Sequence, residues 1–374
     1  MARAVVLGGG MVGSAMAMDM QRSGVQTTLL DLKPETAASA AQRWGFGLAA
    51  ADLSDPRAIQ SAVRDADIVL GALPSRLGDM AMGAVIEASK PYVDIAFVAE
   101  DLRHHHEAAV AAGVPVVFDC GVAPGMSNLL CGVAVHKMER CDRLEILVGG
   151  LPQARHWPFE YKAPFAPWDV LEEYTRVARV VENGRLVEKV ALTEPQLFDF
   201  EGIGTLEAVN TDGLRSLVDL PVPDMIEKTL RYPGHYELMR VFRETGLFDL
   251  EAVEVNGQSV VPREFLAKLL FPKWTYDEGE GDVTVMRVRA EGLSQGRRVR
   301  WDWDLLDHYD PETCIRSMSR TTGFTATVVA LRILEGHVPS AGVVAPEALW
   351  SDADAILEAL STRGVDYRFT ASAL

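Results

Sequence analysis

Three consecutive glycines near the amino terminus constrain the fold of this chain more than any other feature. The hydrophobic run Ala4–Leu7 ends at these glycines, and a second segment of small and apolar residues follows. Residues 8–13 read GGGMVG, which fits G-x-G-x-x-G between a strand and a helix. Such glycines permit a tight turn, the close approach of a pyrophosphate and the packing of helix against strand, and the helix N-terminus attracts phosphate. The predicted phosphate-binding residues are Gly8, Gly10, Met11, Val12 and Gly13.

An acidic residue follows at the position that the motif requires. Asp31 ends the second predicted strand, 31 − 13 = 18 residues past the last glycine. Its carboxylate would accept hydrogen bonds from the adenosine ribose hydroxyls and would repel a 2′-phosphate. The sequence therefore predicts NAD rather than NADP as the cofactor, although Lys33 is a nearby base that could tolerate the phosphate.

The first third of the chain alternates between short apolar runs and Ala-rich segments with helical spacing. The predicted strands are Ala4–Leu7, Thr27–Asp31, Ile68–Leu73, Tyr92–Ile95 and Val114–Asp119. The predicted helices are Ser14–Ser23, Pro34–Trp44, Pro56–Arg64, Gly78–Ala88 and Asp101–Ala112. This order favours right-handed crossovers and a parallel sheet covered by helices on both faces. The predicted fold class is α/β, with a Rossmann-type doubly wound parallel sheet.

Ligands of such sheets bind outside the carboxyl ends of the strands, and this rule extends the predicted cofactor site. Three loops lie at these ends: one at the adenine edge, one under the cofactor and one near the nicotinamide. In that order, the residues assigned to them are Asp52 and Leu53, then Ala72, Leu73 and Pro74, then Gly121 and Val122.

The pattern changes after Gly121, and the chain of 374 residues is too long for one ordinary domain. Mixed strand and helix signals predict a second, α+β domain for substrate binding and dimerisation. Within it, Val283–Ala290 and Arg297–Asp304 are expected to pair as a hairpin. A helix over Thr322–Leu334 begins the return to the first domain. The predicted boundaries are 1–122, 123–310 and 311–374.

Charge and composition exclude several kinds of partner. The net charge of −17 at pH 7 argues against nucleic acid and anionic membrane surfaces, since phosphates must be met by Lys and Arg. No apolar stretch is long enough to span a bilayer, and the first residues do not have the features of a signal peptide. Four dispersed cysteines favour reduced thiols over a disulfide framework. We therefore expect a cytoplasmic protein with a small-molecule substrate.

Two further patterns have simple structural interpretations. Residues 104–106 are three consecutive histidines, and adjacent helical positions point about 100° apart, so the three cannot face one ion. We expect a solvated helix face and no metal site. Trp301 and Trp303 alternate with aspartates, which is typical of a strand with one aromatic face in a core or a subunit interface.

Several longer stretches resemble the saccharopine dehydrogenase-like family, and the resemblance covers nearly the whole chain. They are Phe118–Asn128, Val148–Pro152, Phe159–Tyr161, Glu207–Gly213 and Lys228–His235. Within the family the chain is most similar to L-lysine ε-dehydrogenases, which implies NAD-dependent oxidation at the ε-carbon with release of ammonia. Ala123 stands where saccharopine reductases carry an aspartate, and this difference argues against saccharopine as the substrate.

Amine oxidation needs a neutral amine, whereas the lysine ammonium has a pKa of about 10.4. A base must therefore accept a proton, and Asp94 and Asp119 are the candidates, because each ends a predicted parallel strand. A purely structural role for either carboxylate is equally compatible with the sequence.

The substrate carboxylate needs a cation, and the second domain offers candidates. Arg231 is the first choice, because a guanidinium binds a carboxylate in bidentate fashion, and Lys228 is the second. His235 lies beside a predicted helix N-terminus, and Tyr161 and Thr211 would add hydroxyl contacts. The alternative is that Arg231 pairs with a domain acid such as Glu227.

Two other functions stay open. The same fold could carry out reductive condensation of an aldehyde with an amine, as in saccharopine or carboxynorspermidine formation. It could also bind NAD without catalysis, although the second domain has kept its polar residues. A homodimer or higher homo-oligomer is expected from the hairpin around Arg287–Trp303.

Overall fold

The chain divides into two compact units. The computed structural model describes residues 1–338 and 341–374. One unit contains Met1–Lys137 and Ser319–Asp366, and the other contains Met138–Met318 and Tyr367–Leu374.

The described residues form eighteen strands, eleven α-helices and four 3₁₀ helices. The strands are β1 (Arg3–Leu7), β2 (Gln26–Asp31), β3 (Gly47–Ala50), β4 (Ile68–Gly71), β5 (Tyr92–Asp94), β6 (Pro115–Val117), β7 (Arg140–Pro152), β8 (Ala178–Glu182), β9 (Arg185–Lys189), β10 (Gln196–Phe200), β11 (Gly204–Asn210), β12 (Asp224–Arg231), β13 (Val253–Val255), β14 (Gln258–Val260), β15 (Asp282–Ser294), β16 (Arg297–His308), β17 (Gly342–Val344) and β18 (Tyr367–Ala373).

The α-helices are α1 (Met11–Arg22), α2 (Ala38–Trp44), α3 (Pro56–Val63), α4 (Ser75–Glu87), α5 (His106–Ala112), α6 (Met126–Lys137), α7 (Pro167–Glu173), α8 (His235–Glu244), α9 (Pro262–Trp274), α10 (Ser317–Leu334) and α11 (Ala353–Ser361). The 3₁₀ helices are Pro34–Ala37, Leu102–His105, Arg215–Asp219 and Pro346–Asp352. Among these helices, none has both the length and the apolar character needed to cross a bilayer.

The first unit is built on a seven-stranded sheet in the order β17-β6-β5-β4-β1-β2-β3. Every neighbouring pair in it is parallel. Strand β4 is buried along its whole length, as expected of a parallel strand with helices on both faces. The chain moves from β1 to β2 on one side and returns to β4 on the other, which leaves a crevice at the carboxyl end of β1. The predicted Rossmann-type sheet is confirmed.

Two strands of this sheet have no counterpart among the predicted strands. Strand β3 has four residues, Gly-Leu-Ala-Ala, and is largely exposed. Strand β17 has three residues and pairs with β6 at the other edge. The Gly and Ala residues of β3 have low β-propensity, and β17 is only three residues long, so pairing with a neighbour defines each of these strands.

The second unit contains a nine-stranded mixed sheet, which confirms the predicted α+β character. Its main path is β10-β11-β12-β7-β15-β16-β18, with β8 joined to β12 and β9 joined to β8. The predicted hairpin is confirmed as β15 and β16, paired from Val283↔His308 to Ser294↔Arg297. Its two-residue turn has positive φ at Gln295 and Gly296, as a type I′ turn requires.

The two units divide at other positions than the predicted boundaries at residues 122 and 310. Helix α6 belongs to the first unit because it packs on the 3₁₀ helix Pro346–Asp352, where Gly132 leaves room for the Glu347 backbone. The final segment does not return wholly to the first unit. Strand β18 pairs with β16 instead, since its backbone completes the edge of the second sheet.

Candidate active site

The Gly-rich loop leaves the main chain bare at the start of α1. Gly8 has φ of +107°, and a Cβ there would lie 2.4 Å from the Ala72 carbonyl oxygen. At Gly13 a Cβ would lie 1.9 Å from the Gly8 carbonyl oxygen. Gly10 differs, because a Cβ there meets nothing within 4 Å. Helix α1 begins at Met11, slightly earlier than predicted, and no side chain caps its N-terminus. This open, uncapped terminus fits a pyrophosphate.

The Asp31 carboxylate is hydrogen-bonded to the same loop. Its Oδ2 accepts a hydrogen bond from the Gly9 amide at 2.7 Å, and its Oδ1 accepts one from the Lys33 amide at 2.8 Å. The carboxylate is partly buried at the end of β2. It therefore orients the loop and still offers oxygen lone pairs to a ribose.

The other predicted cofactor residues lie in loops at the carboxyl ends of the strands of the first unit. Asp52 is exposed, and its hydrogen bonds from Ser54 lower its pKa. Leu53 is buried in the hydrophobic core of the unit, which limits the surface it offers to an adenine. Ala72 donates its amide to the Leu7 carbonyl at 2.8 Å, and the next residues, Leu73 and Pro74, lead into α4.

Gly121 and Val122 begin the turn that leads into α6. The Gly121 amide donates to the Pro124 carbonyl at 2.9 Å, and the Val122 carbonyl accepts from the Ser127 amide at 3.1 Å. Both residues are buried. Backbone hydrogen bonds within the turn therefore hold Gly121 and Val122 in place.

Asp94 is a completely buried carboxylate at the end of β5. Its Oδ1 accepts a hydrogen bond from the Ala96 amide at 3.3 Å, and its Oδ2 has no hydrogen-bond partner among the described residues. Burial, and to a lesser degree the charge of Asp119, raises the pKa of Asp94 to about 7. Gly71 on β4 makes the room, since a Cβ there would lie 2.3 Å from Asp94 Oδ1 and 2.0 Å from the Tyr92 hydroxyl oxygen.

Asp119 and Cys120 come shortly after β6, the strand that pairs with β5. Asp119 is buried and adopts a positive φ of 50°, an uncommon conformation for a non-glycine residue. The Cys120 amide donates to the Asp94 backbone carbonyl at 2.8 Å. Burial, with the nearby carboxylates, raises the pKa of the Cys120 thiol, so it stays protonated. Two buried carboxylates and one buried thiol thus lie at the carboxyl ends of two neighbouring strands of the first unit.

Arg231 is the centre of a buried polar cluster in the second unit. Its Nε donates to the Tyr174 hydroxyl at 3.2 Å, its Nη2 to Glu173 Oε2 at 3.2 Å and its Nη1 to the Leu230 carbonyl at 2.9 Å. Its guanidinium carbon lies 4.6 Å from the centre of the Tyr161 ring. The internal acid that pairs with Arg231 is Glu173, not Glu227. Burial raises the pKa of Glu173 to about 7, although Arg231 opposes this shift.

His235 belongs to the same cluster and is neutral. Its Nδ1 lies 2.9 Å from the Phe159 carbonyl, and its Nε2 lies 2.8 Å from the Tyr174 hydroxyl. Because a carbonyl can only accept, Nδ1 carries the proton and Nε2 accepts from the tyrosine. Burial and the charge of Arg231 lower the pKa of His235 to about 3. His235 therefore positions Tyr174 rather than supplying a cation.

Two of the three remaining predicted substrate residues also have hydrogen-bond partners in the second unit. Lys228 is buried and donates to the Glu194 carbonyl at 2.9 Å, and burial lowers its pKa. Thr211 donates to Glu227 Oε2 at 2.6 Å. Tyr161 differs, because its buried hydroxyl has no hydrogen-bond partner among the described residues.

Tyr92, Glu173 and Tyr174 were not among the predicted site residues. Glu173 and Tyr174 lie at the end of helix α7, and nothing in a helical pattern singles out its last turn. Tyr92 occupies an apolar run, where an aromatic residue predicts packing. Only the tertiary contacts give these residues their polar roles.

A nucleotide-binding sheet of this kind, followed in the chain by a mixed-sheet unit, defines the class of two-domain dinucleotide-dependent oxidoreductases. Two family models match consecutive parts of the chain. The saccharopine dehydrogenase NADP binding domain matches residues 4–117, and the saccharopine dehydrogenase C-terminal domain matches residues 121–365. The chain belongs to the saccharopine dehydrogenase family, which confirms the resemblance, and it is an oxidoreductase.

Individual relatives are distant. The chain is 23% identical over 372 residues to the NADP(+)-dependent, L-glutamate-forming saccharopine dehydrogenase of Schizosaccharomyces pombe, covering 79% of this chain and 82% of that protein. It is 24% identical to the carboxyaminopropylagmatine dehydrogenase of Synechocystis, covering 68% of this chain and 65% of that protein. The apo structure of the L-glutamate-forming saccharopine dehydrogenase of Saccharomyces cerevisiae superimposes with a TM-score of 0.83 at 17% identity, covering 100% of both chains.

Proposed function

We propose that this protein catalyses the NAD-dependent oxidative deamination of an amino acid, with L-lysine oxidised at its ε-carbon. The observation that carries the proposal is Asp94, a buried carboxylate whose pKa is raised to about 7, in the unit that holds the bare glycine loop. A bound dinucleotide would be held by Gly8, Gly10, Gly13 and Asp31, and it supplies the hydride acceptor.

The residues of the chain would supply acid–base chemistry. Asp94 would accept the proton that makes the ε-amine neutral, because a carboxylate with a pKa near 7 is a usable base at neutral pH. The amine lone pair then assists departure of hydride from the ε-carbon. Addition of water to the resulting iminium and loss of ammonia complete the deamination. Asp119 would favour the protonated form of Asp94, since its charge raises that pKa.

The substrate carboxylate would be bound in the second unit by Arg231. Its present carboxylate partner, Glu173, is a weak competitor, because burial raises the pKa of Glu173 to about 7. A substrate carboxylate that displaces Glu173 would keep the Arg231 guanidinium paired. The released Glu173 side chain could then take up a proton. The unpartnered Tyr161 hydroxyl supports a polar ligand at the same cluster.

A second candidate is the reductive condensation of an aldehyde with an amine. The names of the relatives favour it, since the S. pombe protein is a saccharopine dehydrogenase and the Synechocystis protein a carboxyaminopropylagmatine dehydrogenase. Ala123 argues against saccharopine itself as the substrate, because it stands where saccharopine reductases carry an aspartate. Binding of NAD without catalysis is a third candidate.

A nicotinamide absorbance assay separates the three candidates. We expect the purified protein to reduce NAD with L-lysine and to release one ammonia for each NADH formed. Oxidation of NADH or NADPH only when an aldehyde and an amino acid are added together would support condensation instead. Tight NAD binding without turnover on a panel of amino acids, diamines and saccharopine would support the third candidate.

Cofactor choice is proposed to depend on Asp31. We expect Asp31→Ser to lower the ratio of kcat/KM for NAD to that for NADP by at least about tenfold, or about 1.4 kcal/mol. The reason is that serine removes the charge that repels a 2′-phosphate but can still accept from the Gly9 amide. Steady-state kinetics with both cofactors measure the ratio, and Lys33→Met is the matched control, expected to reduce only the use of NADP. An unchanged ratio in Asp31→Ser would remove Asp31 from cofactor selection.

Arg231 is proposed to recognise the substrate carboxylate. We expect Arg231→Met to lower kcat/KM for L-lysine by about 30-fold or more, since a charged hydrogen bond contributes about 2 kcal/mol. The control substrate is 1,5-diaminopentane, which lacks the carboxylate and should be oxidised equally by both proteins. Equal losses on the two substrates would mean that Arg231 only supports the fold of its cluster.

A further inference from the structure

A group of potential metal ligands lies on the first unit, apart from the glycine loop. Asp79 is on helix α4, and His104 and His105 are in the 3₁₀ helix Leu102–His105. Asp79 Oδ1 lies 3.0 Å from Nε2 of His104 and 3.0 Å from Nε2 of His105. All three ligand atoms lie within 4.8 Å of one another.

The side chains of two adjacent histidines converge here. All three histidines were expected on one α-helix, whereas His104 lies in the preceding 3₁₀ helix and helix α5 begins only at His106. The imidazole rings of His104 and His105 are 4.0 Å apart, with an interplanar angle of 38°. Gly83 on α4 leaves room for the His105 ring, since a Cβ there would lie 3.2 Å from its Cε1. His106 contacts the Val343 backbone instead.

The contacts of His104 direct its Nε2 at Asp79. Its Nδ1 lies 2.8 Å from the Asp101 carbonyl, and because a carbonyl only accepts, Nδ1 carries the proton. Its Nε2 faces the Asp79 carboxylate oxygen at 3.0 Å, a separation at which either an imidazolium proton or a metal cation fits between the two atoms. A histidine that donates its other N–H to a carbonyl is also the usual arrangement of a metal ligand.

We propose that Asp79, His104 and His105 bind a divalent first-row transition metal ion of the Zn²⁺ type. With metal–ligand distances of about 2.1 Å, the two 3.0 Å separations correspond to ligand–metal–ligand angles of about 90°, and the two imidazole nitrogens lie within 4.8 Å of each other. Two imidazoles and one carboxylate favour such ions over Mg²⁺ and Ca²⁺, which prefer oxygen ligands. Asp79 and His104 are half-exposed, so water would complete the coordination. The ion would join helix α4 to the 3₁₀ helix Leu102–His105.

Calorimetric titration of the untagged full chain with ZnCl₂, together with the melting temperature, tests this site. We expect one Zn²⁺ to bind at this site and to raise the melting temperature, because a ligand of the folded state stabilises it. Asp79→Asn and His104→Gln should each weaken this binding by more than about tenfold. MgCl₂ should cause no shift.

His337→Gln is the matched control, because His337 is also an exposed histidine beside a carboxylate, Glu335. It should bind Zn²⁺ as the wild type does. The proposal is overturned if Asp79→Asn and His104→Gln bind Zn²⁺ like the wild type, which would place the ion elsewhere. It is equally overturned if the wild type shows no saturable Zn²⁺ binding, which would leave these residues as a hydrogen-bonded ion pair.

Discussion

Replacing Gly10 by alanine is expected to reduce NAD affinity by at least about 30-fold, or about 2 kcal/mol, while the fold stays intact. A Cβ at this position has no described atom within 4 Å, because it points into the open space at the uncapped N-terminus of α1. Gly10 has φ of −68°, so alanine is not strained there. The added methyl group would occupy the space that a pyrophosphate needs to reach the main chain.

Fluorescence or calorimetric titration with NAD measures the affinity, and the apo melting temperature measures the fold. We expect the unfolding free energy of Gly10→Ala to change by less than about 1 kcal/mol. Gly13→Ala is the informative comparison, because its Cβ would lie 1.9 Å from the Gly8 carbonyl oxygen and force the turn to move. That variant should lose both stability and affinity. NAD binding by Gly10→Ala within about threefold of the wild type would contradict the assigned phosphate site.

Asp94→Asn is expected to lower kcat by about 10²–10⁴-fold, the usual contribution of a general base. The wild-type kcat/KM should rise as the pH increases through about 7, because Asp94 must be ionised to accept a proton. The variant should lose this dependence. A full pH profile of both proteins with the same substrate distinguishes a missing base from a damaged fold, which would lower activity without removing the rise near pH 7.

The same substitution should have the opposite effect on stability. The pKa of Asp94 is raised from 3.8 to about 7 in the folded chain, so the folded state binds the proton more tightly than the unfolded state does. Between these two values the wild type loses stability as the pH rises, since the unfolded chain ionises more easily. Asparagine does not titrate, so Asp94→Asn should gain stability relative to the wild type, by at most about 4 kcal/mol at pH 8.

Denaturant unfolding at pH 4.5 and pH 8 measures this difference. The buried acids Glu173 and Glu227 also have pKa values raised to about 7, but they are present in both proteins and cancel in the comparison. The stability of the variant relative to the wild type should rise between pH 4.5 and pH 8. A stability difference that is the same at both pH values would show that the pKa of Asp94 is not raised in the folded chain.

The local sequence pattern was sufficient to predict the structure wherever neighbouring residues determine it. Strand β1, the glycines and α1 are adjacent in the chain, so their order predicted the nucleotide-binding turn and, with the alternating apolar runs, the parallel sheet. The hairpin of β15 and β16 followed from its turn residues for the same reason. Strand β3 escaped prediction, because its short Gly-Ala sequence becomes a strand only beside β2.

Only the tertiary structure could show which polar residues pair with each other when they lie far apart in the chain. Glu227, a near neighbour in sequence, was the acid named as the alternative partner of Arg231, yet Arg231 lies against Glu173, 58 residues away. The consecutive histidines predicted a solvated face, but α4 carries Asp79 to within 3.0 Å of two of them.

The sequence by itself thus determined the family, the nucleotide-binding sheet and the positions of the acids at its strand ends. The raised pKa of Asp94, the neutrality of His235 and the contacts of Arg231 came only from the tertiary structure. The physical reason is that backbone conformation is encoded over a few neighbouring residues, whereas burial and charge pairing depend on which distant segments exclude water from a group.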